Sequence, residues 1–536
     1  MPETVGIFLV ETLVDVVGST AISDAAVAFA EGTFLGISGA SVIGSAAIIG
    51  ATIGLQFALS SRPSLPKPED GSQPLKQSIP PRIMGYGRNR LAGYYMLFEA
   101  VGLPAISYDV IAFHSGRIES IQGIYLHDDP VSTSPSISFG GTGTVITEGI
   151  QYQGITIQVK LGTVPQTAAS LLTSDPDIAP VWDGAHQGNG IAHAVMVCLG
   201  VSDPSQFANT FPHNLPLLSV VAQCSPIWDP RDPAQVRGNP ATWLSSRNPV
   251  LQLIDYLTRV DGGVGLDYDT VIAPNLAAWI IEANLCDELV NTATGTEPRY
   301  QSNGWFQFDN NPSDVIGGIL ATCDGWLAES GDGSLSLVVG VYRVPFDPPI
   351  TDKHIFGFTL NYGQTDEQTV NELDISFTDP AQNYVTVQTT PWRDEDAISL
   401  AGVVRPQPLE LKWVQSHSQA RRLADRASQR LNPLLTGSFT TKLYGLRYLG
   451  KRWVRLAYPF VSGFQDCVVE VQNAEVDLKR GRIVWQFIRI STDKIEAYNP
   501  ATDEGRPPPV PPSLAPLRLD FTKTADSQYL ALLEDI

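Results

Sequence analysis

Thirty consecutive residues, Gly32 to Ser61, reading GTFLGISGASVIGSAAIIGATIGLQFALSS, carry no charge. A run of that length is able to cross a bilayer as one helix, so the chain must either cover it with protein or place it in lipid. Glu3, Glu11 and Asp15 precede the run and the first Lys or Arg is Arg62, which excludes the basic start of a standard secretory signal. The preceding VGIFLVETLVDVVG sets Glu11 and Asp15 on one helical face, and two apolar helices are expected. Gly36, Ala40, Gly44, Gly50 and Gly54 recur nearly every four residues, a spacing that lets helix backbones approach closely. Three readings stand: a core buried between copies of the chain, a segment held ready to enter a membrane, and a resident anchor. In each, Phe34, Ile37, Val42, Ile43, Ile48, Ile49, Leu55 and Phe57 are the side chains that meet the membrane or channel.

A proline-rich linker follows, SRPSLPKPEDGSQPLKQSIPP, with no apolar period and hence extended. Beyond it, 46 Gly and 40 Pro in 536 residues with 17% charged residues favour many short strands joined by turns over a helical bundle. Apolar alternation marks strands in YGRNRLAGYYMLFEA, YDVIAFHSGRIESIQGIYLHDDPV, GITIQVKLG, AVMVCLGV and LLSVVAQCSP. Turns fall at Ser115-Gly116 and at His127-Asp128-Asp129.

At Asn248-Pro249 the period becomes helical, because Asn is a strong N-cap, Pro suits the first helical position, and Val250, Leu253, Ile254 and Leu257 follow at helical spacing. A second helix is expected after Pro274 with Leu276, Trp279, Ile280 and Ala283 on one face. A third follows Pro312 through Val315, Ile319, Leu320 and Cys323 and stops at Gly325. WLAESGDGSLSLVVGVY then reads as a hairpin. Further on, HSQARRLADRASQRLN carries Ala420, Leu423, Ala427 and Leu431 on one side and Arg422, Arg426 and Arg430 on another. Strands are expected in TTKLYGLRYL, DCVVEVQNAEVDL and RIVWQFIRI. The chain ends in RPPPVPPSLAP and a short amphipathic segment. The fold class expected is α+β, mostly β. Its divisions are an apolar helical N-terminus (1–62), a linker (63–81), a first β domain with long loops (82–240), a central helix and hairpin region (241–345), a second β domain with the Arg-rich helix (346–500), and a spacer with a docking tail (501–536).

The net charge of −21 repels a phosphate backbone, which disfavours nucleic-acid binding by the chain as a whole. The charge is uneven: Arg405 to Arg489 holds fifteen basic and six acidic residues, net +9. Arg422, Arg426 and Arg430 are therefore a candidate basic face, turned either toward passing DNA or into ion pairs with a neighbouring acidic subunit or domain. The five cysteines, Cys198, Cys224, Cys286, Cys323 and Cys467, have no zinc spacing, and a reducing cytoplasm without disulfides is the expected folding compartment.

Catalytic motifs are missing: there is no HExxH, CxxC, P-loop or GxSxG. His186 and His193 lack a nearby second ligand, and His127, Asp128 and Asp129 read as a polar turn. Gly140, Gly141 and Gly143 lack the strand-to-helix setting of a phosphate loop. No catalytic, cofactor or metal residue is assigned, and a non-enzymatic protein is expected.

The blocks NPVLQLIDYLTRVDGGVGLDY, EANLCDELV, PRYQSNGWFQFDNNPSDVIGGILATCDGWLAES and GVYRVP are similar, in order and spacing, to the core of phage tail tip proteins: the lambda-like tip attachment protein and the hubs of related siphophages and gene transfer agents. The resemblance extends upstream to YGRNRLAG and downstream to SQARRLADRASQRLN, covering most of residues 82–490. It implies a homotrimeric hub closing the tail tube, with two related β-barrel-like domains per subunit matched to a sixfold ring. It further implies a distal tail protein above, the tape measure protein inside, fibres or receptor-binding proteins below, transient passage of phage DNA, assembly in the host cytoplasm, and possible contact with the host membrane at ejection. The chain departs from longer members at its C-terminus, where only about 36 residues follow Pro500. There Leu517, Leu519, Phe521, Tyr529, Leu532 and Leu533 are the expected fibre-docking side chains. The alternative readings are a tail-associated cell-wall hydrolase and a membrane-inserting adhesin or pore.

Overall fold

The computed structural model of the chain describes residues 33–34, 37–38, 74–76, 79–146, 152–201, 210–211, 215–330, 332–362, 369–431, 433 and 435–510. Of the apolar N-terminal run, Phe34 and Ile37 fall in two short antiparallel strands, Thr33–Phe34 and Ile37–Ser38, where a helix was expected. Val42, Ile43, Ile48, Ile49, Leu55 and Phe57 lie outside the described residues, as does the whole tail beyond 510. No helix among the described residues is long and apolar enough to cross a membrane.

The protein is mostly β, with few helices and curled half-barrel sheets. Ten strands open the body: β1 (Ile83–Tyr86), β2 (Arg88–Leu91), β3 (Tyr94–Val101), β4 (Ile106–Ser115), β5 (Ser120–Leu126), β6 (Asp129–Ser134), β7 (Gly141–Ile146), β8 (Ile155–Leu161), β9 (Ile191–Cys198) and β10 (Leu218–Gln223). Nine form one antiparallel sheet in the order β2-β10-β5-β6-β7-β8-β9-β4-β3, while β1 pairs instead with Gly304–Gln307. Bulges at Tyr95/Leu97, Ala192/His193 and Val221/Ala222 add the twist that curls a sheet of this width. The corner between β2 and β3 is possible only with Gly93, at φ +77°, since a Cβ there would lie 2.1 Å from the Ala112 carbonyl oxygen. Ile155, Ile157 and Val159 of β8 point into the concave core with Ala194 and Met196 of β9. On the outer face, Val195 packs under Leu172, Ile178 and Trp182 of the connection that follows β8. Cover on both faces explains why AVMVC is an unbroken apolar run.

The central body holds α1 (Pro249–Thr258), α2 (Leu276–Asp287), α3 (Pro312–Thr322) and α4 (His417–Leu431). Asn248 caps α1 by accepting from the Val250 N–H at 3.0 Å, and its amide donates to the Ala283 carbonyl of α2 at 2.8 Å, so the expected cap also joins two helices. Val250, Leu253, Ile254, Trp279, Ile319 and Leu320 share one core with Leu373, Ile375 and Phe377 of Glu372–Asp379, with Leu409 and Leu411 of Pro406–Leu411, and with Ala420, Leu423, Ala424 and Ala427 of α4. Those two strands run parallel to each other.

A six-stranded sheet follows, with β11 (Ile350–Thr351), β12 (Ile355–Tyr362), β13 (Leu435–Lys442), β14 (Trp453–Ala457), β15 (Cys467–Asp477) and β16 (Arg482–Arg489), ordered β11-β14-β15-β16-β13-β12. Its core is aromatic, with Phe439, Tyr448, Phe464, Trp485 and Phe487. The strand expected through TTKLYGLRYL stops at Lys442, and Leu443–Tyr448 forms a 3-10 turn. Tyr448 is thereby buried, donating to the Pro348 carbonyl at 2.7 Å, while Gly445 sits against Thr441 with no room for a Cβ.

Candidate functional site

α4 is the element that joins the central body to the six-stranded sheet. Its apolar side faces the strand Glu372–Asp379, and its arginines face inward as well. Arg426 Nε donates to Asp324 at 2.9 Å and its Nη1 to Glu496 at 2.9 Å. Arg430 donates through both Nη atoms to Asp324 at 3.0 Å and through Nε to Glu470 at 2.8 Å. Arg452, fully buried just before β14, adds two contacts to the same carboxylate at 3.0 and 3.1 Å and one to the Asp324 carbonyl at 2.7 Å. Glu470 of β15 also accepts from the Trp453 indole at 3.1 Å. Three guanidiniums thus meet two fully buried carboxylates and the half-exposed Glu496, so formal charge balances.

Asp324 follows α3 in a left-handed conformation, φ +48°, and a Cβ on Gly340 would come within 2.5 Å of it. Burial works to raise its pKa, but the guanidiniums of Arg430, Arg452 and Arg426 outweigh burial and hold the carboxyl below the ordinary range. Glu470 follows the same logic, with burial opposed by Arg430 and Arg452. A second tie lies about two turns from Arg426 on the same helix. Gln419 uses both ends of its amide, donating to the carbonyls of Gln301 and Thr322 at 2.8 and 2.7 Å and accepting from the Gln301 N–H at 3.0 Å. Gln415, just before α4, reaches the Arg88 carbonyl at 2.7 Å, and Arg90 of β2 reaches the Asn383 carbonyl at 3.2 Å, so the nine-stranded sheet is held to the same body.

The basic face expected from Arg422, Arg426 and Arg430 is therefore turned into the chain. Arg422 pairs with Glu297 at 2.8 Å, and the acidic partners come from regions 100 or so residues away in sequence for Asp324. Of the two readings, DNA or an acidic neighbour, the geometry provides an acidic neighbour within the same chain. Sequence reasoning overlooked Asp324, Arg452 and Glu470. The one local signal for Asp324 is a carboxylate following the helix end directly, in a stretch otherwise apolar.

The other flagged residues have ordinary partners. His193 is buried, its pKa lowered by burial, with Nδ1 3.0 Å from the Ile191 carbonyl. His186 lies exposed 2.8 Å from Asp183. Asp128 is paired with Arg90 and Asp129 accepts from Tyr152 at 2.7 Å. Gly140 and Gly141 lead into a strand. Among the described residues no group of three or more His, Cys, Asp or Glu is placed to hold a metal ion.

A cleft of about 660 Å³ lies beside α1 and is lined by Trp228, Trp243, Tyr268, Arg117, Arg237 and Asp255 among others. Its polar groups are engaged: Asp255 accepts from Arg259 and from Tyr86, Arg237 lies over the Tyr268 ring at 4.0 Å, and Arg117 holds the Pro240 and Trp243 carbonyls. Such a cleft suits an inserted side chain better than acid–base chemistry. At one end of the nine-stranded sheet, Leu103 and Leu199 stand exposed on adjacent connections.

No protein-family model and no curated relative matches the chain. Among solved structures, the fold is similar to that of a chain in the virion of a native gene transfer agent particle, with a TM-score of 0.51 and 14% identity over 83% of this chain and 93% of that one. A 43 kDa tail protein of prophage MuSo2 from Shewanella oneidensis aligns with 76% of this chain and 97% of its own length at 12% identity, with a TM-score of 0.25. The class defined is therefore one of architecture: curled half-barrel sheets around a helical body, a fold shared with a virion component.

Proposed function

We propose that the chain is a structural component of the tail of a tailed phage or phage-like particle, and that within it the chain acts as the hub at the distal end of the tail tube. The observation that carries this reading is the likeness of the fold to a virion chain across 83% of the length. The resemblance of the Asn248 to Pro345 blocks to tail tip proteins supports the finer assignment. In this role the chain forms a homotrimer, joins the distal tail protein and the tape measure protein to fibres or receptor-binding proteins, and gates genome ejection. A net charge of −21 favours transit of DNA past the hub over its retention. The rigid ties that α4 makes between sheets suit a part whose sheets must keep their spacing in a ring.

The test is a particle reconstruction together with the mass of the purified chain by light scattering. Density for this chain around a threefold axis at the tail tip, and a species three times the 58.0 kDa chain mass, are expected. Density elsewhere on the particle, or a monomer at all concentrations, refutes the hub role. Replacing Leu103 and Leu199 by Asp should lower incorporation into particles while leaving the thermal midpoint of the isolated chain unchanged, since both side chains already face solvent.

A further inference from the structure

Between α4 and the segment 495–500 lies a smaller cleft of about 230 Å³, lined by Arg299, Tyr300, Arg422, Asp425, Arg426, Glu496 and Tyr498 among others. The wall is unusual in what it leaves unsatisfied. Arg422 uses Nη2 on the Arg299 carbonyl at 2.9 Å and on Glu297, while its Nε and Nη1 are buried without a hydrogen-bond partner. Arg426 Nη2, Arg299 Nε and the Tyr498 hydroxyl are in the same condition. Arg422 and Arg426 are only 9% and 5% exposed. Burying a donor without a partner is unfavourable, and five such atoms fall on four residues around one cleft.

We infer that this cleft is a binding site for a carboxylate, held by Arg299, Arg422, Arg426 and the Tyr498 hydroxyl. The orphaned groups on the residues that line the cleft are all N–H or O–H donors, which selects an acceptor-only ligand, and three guanidiniums on one wall favour a planar oxyanion. The acidic residues on the wall limit its charge. Each guanidinium already has a carboxylate beside it, Arg299 with Glu288 at 2.6 Å, Arg422 with Glu297 at 2.8 Å, and Arg426 with Asp324 and Glu496 at 2.9 Å. Asp425 is raised to about 6, first by burial and then by Asp503. A monoanion suits this balance better than a doubly charged phosphate. The volume holds a carboxylate group with a few waters, and the source is either a free carboxylate ion or an acidic side chain of a protein segment.

The experiment is isothermal titration of the full chain, at constant ionic strength with chloride as the reference anion, using acetate and separately N-acetyl-aspartyl-N-methylamide. Saturable binding of at least one ligand is expected. Tyr498→Phe removes only a hydroxyl that has no partner within the chain, so the thermal midpoint without ligand should hold or rise while affinity falls about tenfold, the loss of one hydrogen bond to a charged acceptor. Arg422→Gln should weaken binding at least as much. Tighter binding of the peptide analogue assigns the site to a protein carboxylate, and tighter binding of acetate assigns it to a free ion. Absence of saturable binding by both ligands, or binding unchanged in both variants, overturns the assignment and leaves the cleft as a water site. The hub role does not enter this test, since the site belongs to the isolated chain.

Discussion

Replacing Asp324 by Asn tests whether the arginine cluster holds the central body to the six-stranded sheet. The carboxylate receives Arg426 Nε at 2.9 Å, both Nη atoms of Arg430 at 3.0 Å, and Arg452 Nη2 at 3.0 and 3.1 Å, and it is 0% exposed. An amide of the same size keeps the volume but removes the charge, and it turns an N–H₂ donor toward guanidiniums that only donate. Three buried or nearly buried cations then face Glu470 and Glu496 alone. Breaking a buried pair in this way costs ~3–5 kcal/mol. For a cooperative unit of ~150–250 residues, where each kcal/mol moves the midpoint by ~2–4 °C, the loss is ~6–20 °C. Scanning calorimetry of parent and variant measures it.

The pH arm has a defined sign. The folded pKa of Asp324 is depressed, so its contribution is present above the unfolded value of ~3.9 and is lost as pH falls toward the folded value. The gap between parent and variant should be constant from about pH 5 to 8 and narrow below about pH 4. A midpoint change under ~2 °C, less than a surface ion pair would account for at such sizes, or a gap that stays constant through pH 2, refutes the reasoning.

Asp109 of β4 predicts the opposite pH trend. Burial raises its pKa to about 6 against smaller lowering by Ser107 and Lys76, so its stability contribution is full below ~4 and lost as pH rises through about 6. Asp109→Asn should therefore be more stable than the parent at pH 8 by at most ~3 kcal/mol and equal to it at pH 4; urea midpoints at the two pH values check this. Gly304→Ala would set a Cβ 1.9 Å from the Trp413 ring, which lies stacked with Phe306 at 6.5 Å and 12°. The overpacking should cost ~1–3 kcal/mol or more and alter the near-ultraviolet circular dichroism of the tryptophan, whereas an unchanged spectrum and midpoint would contradict the packing described. Deleting residues 517–536, which remove Leu517, Leu519, Phe521, Tyr529, Leu532 and Leu533, should release a fibre protein from purified particles; fibres that stay bound rule out the docking proposal.

Much of the local structure was legible in the residues because local signals carry it. Asn248 and Pro249 start a helix, since a side-chain oxygen satisfies the Val250 N–H whatever the rest of the chain does. Alternation in ITIQVKL and the turn at Gly116 are equally local. The Leu443–Tyr448 turn was not legible, because the reason for leaving the sheet is the distant Pro348 carbonyl that Tyr448 reaches. The Arg422, Arg426 and Arg430 side of α4 looked like a surface face for the usual reason that charges prefer water.

By itself, then, the sequence determined a mostly β chain with a helical middle, the caps and turns of its elements, and the resemblance to tail tip proteins. Only the tertiary structure decided where the charges of α4 go. Asp324 stands 102 residues from Arg426 and 128 from Arg452, and nothing in a local period selects one carboxylate among fifty-six acidic residues. The choice is made by packing. Once α4 is enclosed by the central body on one side and the six-stranded sheet on the other, its guanidiniums lose water, and only carboxylates buried beside them at hydrogen-bond distance can replace it.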